Sequence, residues 1–125
     1  MTERESDFGA DEEGQVRFVQ VDRKIGGLNL QIDTDEGFVI GNFLRIYLLS
    51  YKGPKIVLET QIVKESQEYA SQLHFFDHNV LYQLEGTDIF IAAGLREFGS
   101  GFRNLHFVIN APRDIPIVRT QILNK

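Results

Sequence analysis

Two histidines four residues apart, His74 and His78, form the first pair whose spacing could carry chemistry. In a strand or in a helix this spacing places both imidazoles on one face, where they could bind a metal ion. A tight site needs three or four protein ligands, and only His106 and scattered carboxylates could complete it. The sequence therefore favours partly exposed structural histidines, and it predicts no metal and no cofactor.

The segment from Gly94 to Arg103 spaces three glycines among two arginines and two phenylalanines. Such a loop could cradle an anion. Known phosphate loops, however, pass from a strand into a helix with glycines at fixed places, and this segment meets neither condition. A flexible hairpin is the simpler interpretation.

Arg103 itself begins a strand face that continues through Leu105, Phe107 and Ile109. If this face lines an interior, the guanidinium supplies fixed donors in a dry pocket, where they could orient or polarise a ligand carbonyl. If the face lies at a rim, the side chain only extends to solvent. No Gly-x-Ser-x-Gly motif and no cysteine are present, so covalent hydrolysis has no support.

The elements that would position these residues are short apolar runs separated by turn residues, which is typical of barrels and sandwiches. Alternation predicts a strand from Val16 to Val21 and others through Leu28–Ile32 and Ile56–Ile62, with a hairpin loop at residues 33–37 and a turn at Gly53-Pro54. Residues 64–73 are compatible with a helix or a strand. Later strands are predicted at residues 80–84, 88–93, 103–110 and 115–123.

These runs give about eight strands whose connections are too short for crossover helices, so antiparallel pairing mostly between sequence neighbours is expected. The predicted fold is all-β: a single up-and-down β-barrel over residues 15–125, with a lumen able to hold one small ligand. A β-sandwich is the alternative.

One predicted strand, Phe38 to Tyr51, is apolar on both faces. One face of a barrel strand looks into the lumen, and the other must then be covered by a helix, a second layer or a neighbouring protomer. This pattern predicts a homodimer.

The net charge of −5 resides in the first residues, where six carboxylates stand against Arg4. Residues 1–14 are therefore expected to form a mobile acidic tail, a possible lid, beside a neutral body without the basic patch that nucleic-acid binding requires. The first residues are charged, no apolar run reaches membrane-spanning length, and cysteine is absent. These features predict a cytoplasmic protein with no membrane or nucleic-acid partner.

Three features carry a resemblance to a known family: the tract Gly41-Asn42-Phe43-Leu44-Arg45-Ile46-Tyr47, the glycine-bearing hairpin before Gly101-Phe102-Arg103-Asn104, and the strand order from about Ile25 to Leu123. In these the chain resembles the small β-barrels of the allene oxide cyclase and dirigent type, and within them the spirotetronate cyclases. The resemblance implies an apolar lumen that folds a linear polyketide for intramolecular [4+2] cycloaddition without a cofactor. It places Arg103 beside the carbonyl-rich head of the substrate, although Leu105 stands where a bulky aromatic residue is expected.

Two hypotheses follow. The first is a cofactor-free cyclase for an apolar small molecule, in which holding a near-attack geometry supplies the rate and no acid–base pair is needed. Arg103 and Tyr82 would be its catalytic residues, and its substrate-binding residues would be Phe43, Tyr47, Phe90 and Phe107. The alternative is a non-catalytic module that binds a small molecule or a protein, and a filled interior would favour it.

Overall fold

A computed structural model of the chain describes residues 16–23, 26–64, 67–68, 71–97 and 103–120; of residues 63–64, 67–68, 95–97 and 103–104 it describes only the backbone. The acidic segment 1–14 lies outside the described residues. The described part of the chain forms eleven strands in two antiparallel sheets. The strands are β1 (Phe18–Val21), β2 (Leu28–Gln31), β3 (Gly37–Ile40), β4 (Leu44–Ser50), β5 (Lys55–Lys64), β6 (Gln67–Glu68), β7 (Gln72–Asp77), β8 (Leu81–Leu84), β9 (Phe90–Glu97), β10 (Arg103–Asn110) and β11 (Ile117–Arg119).

The prediction of an all-β chain with antiparallel pairing is confirmed. The smaller sheet has the order β1-β8-β9-β10-β2, and the larger sheet has the order β11-β3-β4-β5, with β6 and β7 both paired to β5. Pairing between sequence neighbours accounts for the hairpins, but β1 pairs with β8, β2 with β10, and β3 with β11. Each of these long-range pairs joins strands that are distant in the chain, which local periodicity does not reveal.

The expected single strand from Phe38 to Tyr51 is wrong, because the chain turns at residues 41–43 and forms the β3–β4 hairpin. Gly41 has a φ of +61°, a left-handed conformation that glycine adopts without steric cost. Its N–H donates a hydrogen bond of 2.7 Å to the carbonyl of Pro116. The apolar residues on both sides of Gly41 and Asn42 conceal this turn, since they read as one apolar run.

Two predicted connections also differ from the structure. Residues 33–37 do not close a hairpin, because β2 lies in the smaller sheet and β3 in the larger one; this segment crosses between the sheets. The glycine-spaced segment begins as strand, since β9 continues through Gly94 to Glu97. Its remainder, residues 98–102, lies outside the described residues. Segment 64–73, for which helix and strand were both open, contains the end of β5, β6 and the start of β7.

Alternation along the strands directs one apolar face of each sheet toward the other sheet. Ile56, Leu58 and Ile62 are buried on β5, as are Leu105, Phe107 and Ile109 on β10, and the alternation predicted for both strands is confirmed. The rings of Phe38 in the larger sheet and Phe107 in the smaller sheet meet edge to face, with centroids 5.4 Å apart. Direct contact between the inner faces therefore fills this part of the interior, and each buried large apolar side chain contributes about 1.5–3 kcal/mol.

Side chains connect the edges of the two sheets. On one side, the amide of Gln72 accepts a hydrogen bond from the N–H of Val16 at 2.7 Å and donates one to the carbonyl of Val16 at 3.3 Å. On the other side, Arg119 Nη1 donates to the carbonyl of Gln31 at 3.0 Å. Among the described strands no backbone ladder joins the two sheets, so they are not closed into a barrel.

The described residues contain no helix of sufficient length and hydrophobicity to cross a membrane.

Candidate functional site

His74 lies on the inner face of β7, half-buried beside the edge of β1. Its Nε2 is 2.8 Å from the hydroxyl of Thr60, which is 1% exposed and lies on the neighbouring strand β5. Burial lowers the pKa of His74 below its usual value of 6.5, so the imidazole is neutral at pH 7. A buried hydroxyl and a neutral imidazole satisfy each other here, which is a structural role for both.

His78 does not share these surroundings, because it lies in the turn after β7. Its Nε2 is 3.3 Å from the carbonyl oxygen of Gly53, in the turn between β4 and β5. Within the described ranges, no three His, Cys, Asp or Glu residues gather into a group that could hold a metal ion. His74 and His78 thus have different hydrogen-bond partners, Thr60 and the carbonyl of Gly53.

Tyr82, a predicted catalytic residue, lies on the inner face of β8 and is 8% exposed. Its phenol oxygen accepts a hydrogen bond of 2.8 Å from the backbone N–H of Asp77. Its ring stacks on Phe76, with centroids 4.0 Å apart and the planes inclined by 23°. The side chain therefore links the end of β7 to β8 across the boundary between the sheets.

Phe18 completes an aromatic cluster with these residues. Its ring meets His74 and Phe76 edge to face, at centroid distances of 5.0 and 5.1 Å. We call Phe18, His74, Phe76 and Tyr82, together with Thr60, the seam cluster, because it spans the boundary between β1, β7 and β8. Within this aromatic environment Thr60 and His74 bond each other, whereas the Tyr82 hydroxyl accepts from Asp77 and keeps its own hydrogen, which it could donate to a polar group of a small molecule.

The other predicted site residues do not converge on this cluster. Phe107 is fully buried against Phe38 in the core. Phe90 lies on the outer face of β9, under the guanidinium of Arg23 at 4.7 Å from the ring centroid. Tyr47 is half-buried on the outer face of β4, opposite Glu59 of β5. These three positions thus divide between the interior and two different outer faces.

Phe43 and Arg103 complete the set of predicted residues. Phe43 lies in the turn between β3 and β4, half-buried, with its ring so close to Gly41 that a Cβ there would overlap it. Arg103 begins β10 and pairs with Glu97 of β9 in the ladder. Its side chain lies outside the described part of the structure, so the structure does not test the role that the resemblance implies.

Sequence reasoning did not identify the most exposed apolar surface of the described chain. Phe75 is 58% exposed and Leu73 is 55% exposed, at alternate outward positions of β7. Val57 lies directly opposite Phe75 on β5 and is half-buried. We call these three residues the outer stripe. The outward positions carry Leu73 and Phe75 while the inward positions include Gln72 and His74, so alternation alone would direct the apolar residues inward.

Charged side chains bound the outer stripe at both ends. At one end Lys55 Nζ lies 2.6 Å from the Asp77 carboxylate, and both side chains are about half exposed. This hydrogen-bonded carboxylate raises the pKa of Lys55 above its usual value. At the other end Glu59 lies opposite Leu73. The stripe is therefore an apolar centre with a polar margin, which is the usual composition of a protein interface.

In comparisons with protein families, with curated proteins and with solved structures, no match to this chain was found.

Proposed function

We propose that this chain is a non-catalytic binding module that binds protein through the outer face of β5 and β7. The observation that carries the proposal is the exposure of two large apolar side chains, Phe75 and Leu73, at adjacent outward positions of one strand. Contiguous exposed apolar side chains with a polar margin are uncommon on monomeric proteins. Where they occur, they usually mark an interaction surface. Phe75 is the expected anchor, because aromatic side chains dominate binding energy at interfaces.

The interior supports a role for the outer surface. Phe38 and Phe107 meet across the two sheets, and Phe76 stacks on Tyr82. Side chains that fill the space between the sheets stabilise the fold and occupy the volume that a ligand would need. Binding through the outer surface is then the simpler interpretation. We propose that the two sheets are the halves of one flattened small barrel, since Gln72 and Arg119 connect their edges on both sides.

Quantitative affinity purification from the host lysate tests the proposal, with the full chain as bait. Proteins retained by the wild type should be lost with Phe75→Glu and kept with Val19→Glu. Val19 is the matched control, because it is 39% exposed on the outer face of the other sheet. Thermal melting of both variants separates lost binding from lost folding. The same set of proteins on all three baits would overturn the proposal.

A cofactor-free cyclase of the kind that the resemblance implies is the second candidate. The seam cluster favours it, because the hydroxyl of Tyr82, which keeps a hydrogen to donate, lies on an inner face beside the edge between the sheets. Native mass spectrometry of protein purified from its own host tests this candidate. A co-purifying polyketide-sized mass that is lost in Arg103→Ala would support it. A linear precursor that the protein neither binds nor cyclises would count against it.

A further inference from the structure

Residues 16–21, the segment that contains β1, have a strand ladder on one side only. Among the described strands β1 pairs with β8 and with no other strand. The N–H of Glu85 extends this ladder by donating to the carbonyl of Arg17 at 2.8 Å. Towards β7, the side-chain amide of Gln72 bonds the N–H and the carbonyl of Val16. We call residues 16–21 the strap, because they run along the boundary between the two sheets.

The strap buries little apolar surface. Val16 is 2% exposed and Phe18 is half-buried, whereas the remaining residues of the strap are exposed or half-buried. By comparison, β10 buries Leu105, Phe107 and Ile109 completely and has a ladder on both sides. Segments with few buried apolar contacts open at a lower free energy than the whole fold. The strap is therefore expected to open before the sheets do.

The chain that follows the strap has an anchor of its own. The guanidinium of Arg23 lies over the ring of Phe90 on the outer face of β9, 4.7 Å from the centroid. A cation in this position is attracted by the aromatic face. The strap can therefore swing about residues 22–23 while the chain beyond them keeps its place.

Release of the strap changes the surroundings of His74. The ring of Phe18 meets the imidazole edge to face at a centroid distance of 5.0 Å, and burial is the cause of the lowered pKa of His74. Without the strap, one side of the imidazole faces water, where its charged form is better solvated. Binding of a proton to His74 and release of the strap therefore favour each other.

The strands around His74 offer its charged form no partner on their described inner faces. Leu58 and Thr60 face the imidazole from β5, and Tyr82 is the titratable residue on the inner face of β8. The described charged residues of the strap, β5 and β7 lie on outer faces: Arg17, Lys55, Glu59 and Asp77. Exposure to water is thus the way in which a protonated His74 is stabilised.

We propose that the strap detaches from β7 and β8 while the two sheets otherwise stay folded, and that mild acid favours the detached form. Detachment uncovers Phe76 and Tyr82 from the side of β1, so the strap controls access from solvent to the rest of the seam cluster. The inference is independent of the outer stripe, which lies on the opposite face of β7.

Thiol labelling of single-cysteine variants measures the opening, since the chain has no cysteine of its own. Val16→Cys reports on the strap, and Ile109→Cys, equally buried on β10, is the matched control. A dipyridyl disulfide labels thiols in acid as well as at neutral pH, and the rate for each unfolded variant in urea, divided by its native rate, gives the protection of the thiol. Protection at Val16→Cys should be at least about tenfold lower than at Ile109→Cys.

Low concentrations of urea distinguish detachment from unfolding of the whole chain. Global unfolding exposes much more surface than local opening, so its free energy falls more steeply with urea. Labelling of Val16→Cys should stay nearly constant until the chain begins to unfold, whereas labelling of Ile109→Cys should rise throughout. If Ile109→Cys does not fold, Ile91→Cys on β9 replaces it. Equal protection and equal urea dependence at the two positions would overturn the inference.

A pH series tests the link to His74 and separates detachment from fraying of Val16 alone. Between about pH 7 and about pH 5 the protection of Val16→Cys should fall by up to about tenfold per pH unit, because opening is coupled to the binding of one proton. Combining Val16→Cys with His74→Gln should reduce this fall. Protection that does not change with pH, or that falls equally with His74→Gln, would overturn the proposed switch, since a frayed Val16 alone leaves Phe18 on the imidazole.

Discussion

The phenol oxygen of Tyr82 accepts a 2.8 Å hydrogen bond from the backbone N–H of Asp77, so the last residue of β7 is bonded to a strand of the other sheet. The intervening turn contains Asn79 in a left-handed conformation, with a φ of 63°, and its N–H donates to the carbonyl of Ala93 at 2.7 Å. This corner therefore holds the two sheets at their shared boundary, and Tyr82 is part of the scaffold whether or not it contacts a ligand.

Tyr82→Phe should lower the free energy of unfolding by about 1–3 kcal/mol, because the Asp77 N–H loses its acceptor while the ring stacking on Phe76 is kept. Urea unfolding measures the change. Tyr51→Phe is the control, since Tyr51 is half-buried against the core and makes no hydrogen bond through its hydroxyl that the described structure records. Equal stabilities of the two variants would contradict a structural role for the Tyr82 hydroxyl.

Alternation was sufficient to predict those strands that have one buried and one exposed face. The residues that share the inward faces of β5 and β10 were grouped correctly, and polar residues such as Glu59 and Gln61 mark the opposite face of β5. Alternation failed at residues 38–51, because the apolar residues on both sides of Gly41 and Asn42 outweigh the turn signal that these two residues carry. Buried strands on either side of a tight turn read as one continuous run.

The surroundings of the candidate residues depended on contacts between distant parts of the chain. Thr60 reaches His74 only because the β5–β7 register places Leu58 opposite His74 and Gln72 opposite Thr60. Tyr47 and Phe90 were expected in the interior, but their strands direct them outward. Register decides the face of every side chain in a strand, and a single sequence does not contain it.

Gly37→Ala should destabilise the protein by about 1–3 kcal/mol, because overpacking a closely fitted region has this cost. Gly37 is buried in β3 opposite Tyr47, and a Cβ there would overlap the carbonyl oxygen of Ile46. Backbone atoms cannot rotate aside, so the β3–β4 ladder must shift. Thermal or urea unfolding measures the effect.

Gly53→Ala is the matched control for this substitution. Gly53 lies in the turn before β5, and no atom would come within 4 Å of an added Cβ. The variant should be as stable as the wild type or more stable by up to about 1 kcal/mol, since alanine restricts the unfolded chain. A destabilisation of Gly53→Ala equal to that of Gly37→Ala would contradict the explanation by close packing, because no atom lies near the Cβ added at Gly53.

The contact between Phe38 and Phe107 should be energetically coupled. In a double-mutant cycle with leucine at each position, we expect an interaction free energy of about 0.5–1.5 kcal/mol, the usual value for an edge-to-face aromatic pair. Phe75→Leu combined with Phe107→Leu provides the control cycle, because Phe75 faces outward on β7. Additive effects of the Phe38 and Phe107 substitutions would show that the two rings do not pack together in solution, as an open lumen would require.

Protonation of His74 should make the fold less stable in mild acid. Burial lowers its pKa in the folded chain, whereas the unfolded chain keeps the ordinary value of about 6.5. Between those two values the unfolded state binds more protons, so the free energy of unfolding falls as the pH decreases through this window. Above about pH 6.5 the contribution of His74 is fully present, because the imidazole is neutral in both states.

His74→Gln removes this titration while keeping a side chain able to hydrogen-bond Thr60. Urea unfolding of the wild type and the variant between about pH 8 and about pH 5 should show a smaller acid-induced loss of stability in His74→Gln. If the curves of wild type and His74→Gln run parallel over the whole range, then the imidazole of His74 is accessible to protons in the native state, and its burial between β1 and β5 is not maintained in solution.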